Sequence, residues 1–132
     1  MKIKIEHFAI WCKDLELMRT FYMNAFGMSS NDKYVNPVKK YESYFLTFED
    51  PFSPRLELMK RPDIAENKNT RGQMMGYAHI ALSVGSKEAV DLLTEKLRRD
   101  GCSIAGETRI TGDGYYESII EDPEGNWIEI TE

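Results

Sequence analysis

Two histidines and two glutamates stand out as residues that could do chemistry together. His7 and His79 are the only histidines in the chain and lie 72 residues apart; Glu57 and Glu129 share the same offset, each centred in an apolar triplet, Leu56-Glu57-Leu58 and Ile128-Glu129-Ile130. Two neutral nitrogens and two carboxylate oxygens suit one divalent ion of borderline softness: Zn, Ni, Co, Mn or Fe. The glutamates cancel the ion's charge, and a four-ligand set leaves an octahedral ion two positions for water or a chelating substrate. Any one of the four alone would read as a hydrogen-bonded strand histidine or as the solvent side of an amphipathic strand. Their matched repetition is what points to a ligand set.

The same offset relates Glu49-Asp50-Pro51 to Glu121-Asp122-Pro123. The chain therefore reads as a duplicated module, one copy in about 1–60 and the other in 77–132, joined by a polar connector, 61–76, that reads as a loop or lid. In the first copy, alternation predicts a strand from Ile3 to Trp11, with His7, Ala9 and Trp11 on one face and Phe8 and Ile10 on the other. A helix follows, with Asp14 as N-cap, Leu15, Met18, Phe21, Tyr22, Ala25 and Phe26 at helical spacing, and Gly27 as its stop. Strands are expected near Lys33–Val35, over Tyr41–Glu49 and over Arg55–Lys60.

The second copy repeats the order. A strand is predicted over Tyr77–Val84, then Ser86 as N-cap of a helix carrying Ala89, Val90, Leu92, Leu93 and Leu97, then strands Tyr115–Glu121 and Trp127–Thr131 around an Asp122–Asn126 turn. Period-two geometry turns Leu56, Leu58, Ile128 and Ile130 toward the helices and Glu57 and Glu129 the other way, on the face of His7 and His79. Trp11 and Met59 fall on that face too. Each unit is thus strand, helix, then two or three strands, an α+β fold whose sheets are expected to curve into a cup with the helices outside.

With 132 residues the chain is long enough for one domain with a real core. A net charge of -5 without a Lys/Arg run argues against nucleic acid. No apolar stretch reaches the length of a membrane span and the chain opens on a strand pattern, so a cytoplasmic protein is expected. Cys12 and Cys102 lack the repeat offset and any metal-ligand spacing, and read as free thiols. No G-x-S-x-G elbow or phosphate-binding glycine loop occurs; Gly112-Asp113-Gly114 reads as a hairpin turn. Trp11, Met59, Met74, Met75, Tyr115, Tyr116 and Trp127 are apolar residues that could line a pocket or pack in a core or dimer contact.

These motifs resemble the vicinal oxygen chelate superfamily, that of glyoxalase I and the bleomycin-resistance proteins. His7-Phe8-Ala9-Ile10 with Asp14-Leu15, Phe21-Tyr22 and Phe26-Gly27-Met28 resembles its opening strand and helix. Leu56-Glu57-Leu58, Gly76-Tyr77-Ala78-His79-Ile80-Ala81 and Asp122-Pro123-Glu124-Gly125-Asn126-Trp127-Ile128-Glu129 resemble its other signatures. The resemblance implies one domain of paired βαβββ modules over 1–132, usually a homodimer, with His7, Glu57, His79 and Glu129 at the four metal positions of the glyoxalase I pattern. It further implies a lyase or isomerase acting on a small chelated substrate such as a methylglyoxal–thiol hemithioacetal, in which the ion stabilises an enediolate and a glutamate moves the proton. Glu129 is the first choice for that base and Glu57 the second.

Where classical bacterial glyoxalases carry an arginine and a lysine for glutathione, this chain has Trp11 and, before the last hairpin, Thr111 with Arg109 nearby. The thiol partner is therefore open. Trp11, Met59, Arg109 and Tyr116 are the expected substrate contacts. Alternative readings are a metal-dependent epimerase of an acid or thioester, and a non-catalytic ligand-sequestering protein like the bleomycin-binding members. Retention of all four ligand positions favours catalysis.

Overall fold

Each half of the molecule starts with a sheet-edge strand whose single neighbour is the last strand of that half. The computed structural model describes residues 1–132 and divides into two units, Met1–Glu66 and Asn67–Glu132. In the first, β1 (His7–Trp11) is followed by α1 (Leu15–Phe26), the short β2 (Ser29–Ser30) and β3 (Tyr34–Asn36), then β4 (Tyr41–Thr47) and β5 (Arg55–Lys60). β1 pairs parallel with β5, β4 runs antiparallel to β5, and both β2 and β3 pair with β4. A parallel pair cannot be closed by a tight turn, so everything from α1 to β4 forms the crossover.

The second unit has β6 (His79–Ser83), α2 (Lys87–Arg99), β7 (Ile104–Ile110), β8 (Tyr116–Glu121) and β9 (Trp127–Thr131), in the sheet order β6-β9-β8-β7. Again the first and last strands are parallel and the others antiparallel. The result is an α+β architecture of two βαβββ-type units, the first carrying β2 as an additional short strand.

Local signals set the helix ends. Asp14 accepts a hydrogen bond from Leu17 N and Ser86 from Ala89 N, each satisfying one of the donors a helix start leaves unpaired. Gly27 closes α1 at φ 63, a left-handed conformation that favours glycine. Leu15, Met18 and Tyr22 of α1 are buried, as are Leu46 of β4 and Leu56 and Leu58 of β5, elements against which α1 packs. In the second unit, Val90, Thr94 and Leu97 of α2 are buried with Ile120, Ile128 and Ile130. Burying one such aliphatic side chain stabilises the fold by roughly 1.5–3 kcal/mol. Thr94 is polar but satisfied: its hydroxyl lies 2.6 Å from Val90 O and 2.7 Å from Ser118 Oγ.

Three expectations shift. Both opening strands are shorter than their alternation, starting at His7 and His79, and Ile3 and Ile5 are exposed. The partner explains the first case: β5 begins at Arg55, opposite His7, leaving nothing for residues 3–5 to pair with. Leu92 is exposed, because the buried stripe of α2 runs through Val90, Thr94 and Leu97. The periodicity gives no strand over β7: its half-buried positions, Ile104, Gly106 and Thr108, alternate in exposure but carry only one large apolar side chain. The 112–114 hairpin turn is present, closed by Gly114 N donating to Thr111 O.

Candidate functional site

Parallel pairing places each histidine diagonally from a glutamate. Glu57 lies opposite Ala9, so His7, two residues back on β1, shares its face; Glu129 lies opposite Ala81, and His79 stands likewise two residues back. Leu56, Leu58, Ile128 and Ile130 fill the opposite face as core, which fixes the direction in which the glutamates point. His7 Nε2 is 3.5 Å from Glu57 Oε2, and His79 Nε2 is 3.3 Å from Glu129 Oε2. The glutamate side chains are 13% and 15% exposed, and both histidines 38%. Two separate strand pairs thus present the same two donors with nearly the same spacing and exposure.

Those separations exceed an ordinary N–H···O hydrogen bond of about 2.7–3.2 Å. The 3.3 Å pair lies within, and the 3.5 Å pair just beyond, the span of roughly 3.0–3.4 Å between two donors each about 2.1 Å from one ion at right to tetrahedral angles. The proton on His7 strengthens the fit. Its Nδ1 is bonded to the Glu6 carboxylate, which only accepts, so in the neutral imidazole this contact places the hydrogen on Nδ1 and leaves Nε2 as a lone pair. Nε2 and Glu57 Oε2 are then two acceptors facing one another, an arrangement a cation satisfies. No group of three or more His, Cys, Asp or Glu side chains gathers as an ion site, so each unit presents a pair of donors.

The first pair is heavily buttressed. Glu6 also pairs with Arg55, and hydrogen bonds from His7 and then Arg55 hold its carboxyl below the usual range. The His7 ring meets Phe45 edge-on at 5.3 Å, with the Arg55 guanidinium over Phe45. Tyr41 OH donates to Glu57 Oε1 at 2.7 Å. Burial, and then that bond to a carboxylate, raise the Tyr41 pKa.

The second pair has different company. Glu117 lies two residues from Ile119, the residue opposite Glu129, and so falls on the glutamate face. It is 7% exposed and pairs with Arg109 at 3.2 Å. Burial and then the neighbouring Glu129 push its pKa up from 4.5 to about 6, against the opposing pull of Arg109.

Trp11 and Met59 are opposite each other in register, Trp11 edge-on to Tyr41 with the Arg61 guanidinium 5.2 Å above it. Arg109 reaches the Glu129 neighbourhood through Glu117. Tyr116 does not: it shares its strand face with buried Ser118 and Ile120, and its hydroxyl donates to Asp91 of α2. Sequence reading missed Tyr41, Glu117 and Glu6 as parts of the site. Glu117 had a usable signal, since it alternates with Ile119 and Glu121; Tyr41 and Glu6 had none, because their roles depend on side-chain reach.

The model of the Glyoxalase/Bleomycin resistance protein/Dioxygenase superfamily matches residues 4–130. The Bacillus subtilis protein YwbC is 30% identical over 129 residues, 98% of this chain and 97% of YwbC. Among solved structures, the trypanothione-dependent glyoxalase I of Leishmania major is similar with a TM-score of 0.78 and 27% identity, over 98% of this chain and 86% of that one. A glyoxalase family protein from Enterococcus faecalis has the same TM-score at 22% identity, over 98% and 97% of the two chains, and shares the fold.

Proposed function

Because the chain belongs to the Glyoxalase/Bleomycin resistance protein/Dioxygenase superfamily, we propose that it is a metal-dependent lyase or isomerase of glyoxalase I type, moving a proton on a small substrate that chelates through adjacent oxygens. The observation that carries this reading is the repeated His–Glu pair, with donors 3.5 and 3.3 Å apart. His7, Glu57, His79 and Glu129 would hold one divalent ion, the two pairs coming from one chain or from two copies in a homodimer.

When bound, such an ion polarises the substrate oxygens and stabilises negative charge that develops as a proton leaves carbon. The contact of His7 Nδ1 with the Glu6 carboxylate favours the neutral tautomer that leaves Nε2 as donor atom. Glu129 serves as the base: its carboxylate takes the proton from one carbon and returns it to the next, with no net change in protons. Glu57, bonded to Tyr41, is held in place and is the lesser candidate. Trp11, Met59 and Arg109 are proposed substrate contacts. A methylglyoxal–thiol hemithioacetal is the first substrate to try.

The test is turnover of methylglyoxal with a series of low-molecular-weight thiols, using protein loaded with Zn, Ni or Co. Formation of the 2-hydroxy thioester with at least one thiol supports the reading. Tight binding of such adducts without consumption would instead favour a sequestering protein.

A further inference from the structure

The two oxygens of Glu57 have different partners: Oε2 faces His7 Nε2 and Oε1 accepts from Tyr41 OH at 2.7 Å. Tyr41 is itself constrained. It opens β4 after a turn in which Asn36 Oδ1 accepts from Lys39 N and Lys40 adopts φ 51, a left-handed conformation uncommon for a non-glycine residue. Its ring meets Trp11 edge-on at 6.2 Å and lies against Tyr34 at 6.1 Å. The Tyr41 hydroxyl therefore arrives at Oε1 on a ring fixed from two sides. Glu129 has no counterpart, since Tyr116 spends its hydroxyl on Asp91 and the group beside Glu129 is Glu117.

We propose that Tyr41 is a positioning residue for the metal centre: by occupying Oε1 it leaves Oε2 as the oxygen Glu57 offers beside His7, and it holds Glu57 against rotating away. This rests on the metal-centre reading above and deepens it. It gives a physical reason why the two symmetry-related glutamates divide their work. The hydrogen-bonding neighbour of Glu129 is a second carboxyl, Glu117, whereas Glu57 is tethered by a phenol. A partner of this kind that orients a metal ligand is typically worth about 10- to 100-fold in metal affinity.

The experiment is Co(II) titration of the full-length chain, reading both the dissociation constant and the visible d–d spectrum, for wild type, Tyr41→Phe and Tyr34→Phe. Tyr41→Phe removes only the hydroxyl; Tyr34→Phe removes the hydroxyl of the ring packed against it. Tyr41→Phe is expected to weaken Co(II) about 10- to 100-fold and alter the spectrum, with Tyr34→Phe matching wild type. In a Glu57→Ala background, Tyr41→Phe should cause no further loss, because its route to the ion is gone. Equal affinity and an unchanged spectrum in Tyr41→Phe would overturn the assignment while leaving the metal centre standing. So would a second loss of the same size in the Glu57→Ala background. A wild type that takes up no Co(II) would overturn the metal-centre reading and this assignment with it.

Discussion

His7 and Glu57 stand inside a set of complementary partners, Glu6 and Arg55 on one side and Tyr41 on the other, whereas His79 and Glu129 stand beside a further carboxyl, Glu117, that Arg109 only partly offsets. The backbone geometry of the two pairs is the same, so the difference lies in what was placed around them. Complementary hydrogen bonds hold a ligand still. Beside Glu129 it is Glu117 whose pKa is raised, by burial and then by Glu129 itself. The two donor pairs are alike, and their different surroundings are the basis for proposing that one anchors an ion and the other moves a proton.

The largest expected effect breaks that equality directly. Glu129→Gln keeps an oxygen for the ion but removes the base, and should lower turnover by about 10²–10⁴-fold while much of the metal is retained. Glu57→Gln should act chiefly on metal affinity. Steady-state kinetics with metal content measured on the same samples separates the two, and equal turnover losses in both variants would mean that the glutamates do not divide their roles.

A second difference is structural. Gly72, in the connector, lies against Trp127 so closely that an added Cβ would sit 2.0 Å from the indole ring. Gly72→Ala must displace the ring or the connector, and overpacking of this kind costs about 1–3 kcal/mol. Denaturant unfolding followed by tryptophan fluorescence should show the loss, together with an altered native spectrum.

Glu117 gives a pH signature. In the folded protein its pKa is about 6 instead of 4.5. The folded state therefore binds more protons between those values, and stability falls as pH rises through them. Metal-free protein should lose stability from about pH 4.5 to pH 6, and Glu117→Gln should flatten that part of the profile, measured as the urea midpoint against pH.

The smallest expected effects are alike in both halves: Asp14→Ala and Ser86→Ala should each cost about 1 kcal/mol, since both residues cap a helix in the same way.

Much of this was written in one-dimensional patterns. The helix caps, the Leu56/Leu58 and Ile128/Ile130 core faces and the facing of the glutamates all follow from period and local chemistry, and the structure has them. Strand limits at His7 and His79 were not legible, because pairing ends where the partner strand ends and not where alternation ends. Tyr116 carried the right residue type but its parity places it on the helix side. Tyr41 and Glu6 were invisible because their reach to Glu57 and His7 belongs to side-chain conformation. The second carboxyl at Glu117 was readable from alternation alone, though its protonation depends on burial.

The central claim, that the repeated pairs serve a single ion, is tested most directly by metal stoichiometry. After incubation with Zn, Ni or Co and removal of free ion, elemental analysis should find about one tightly held divalent metal per chain, and both His7→Ala and His79→Ala should abolish most of that retention, since each removes one donor of the same set. No retained metal in the wild type, or retention undisturbed by either histidine variant, would contradict it.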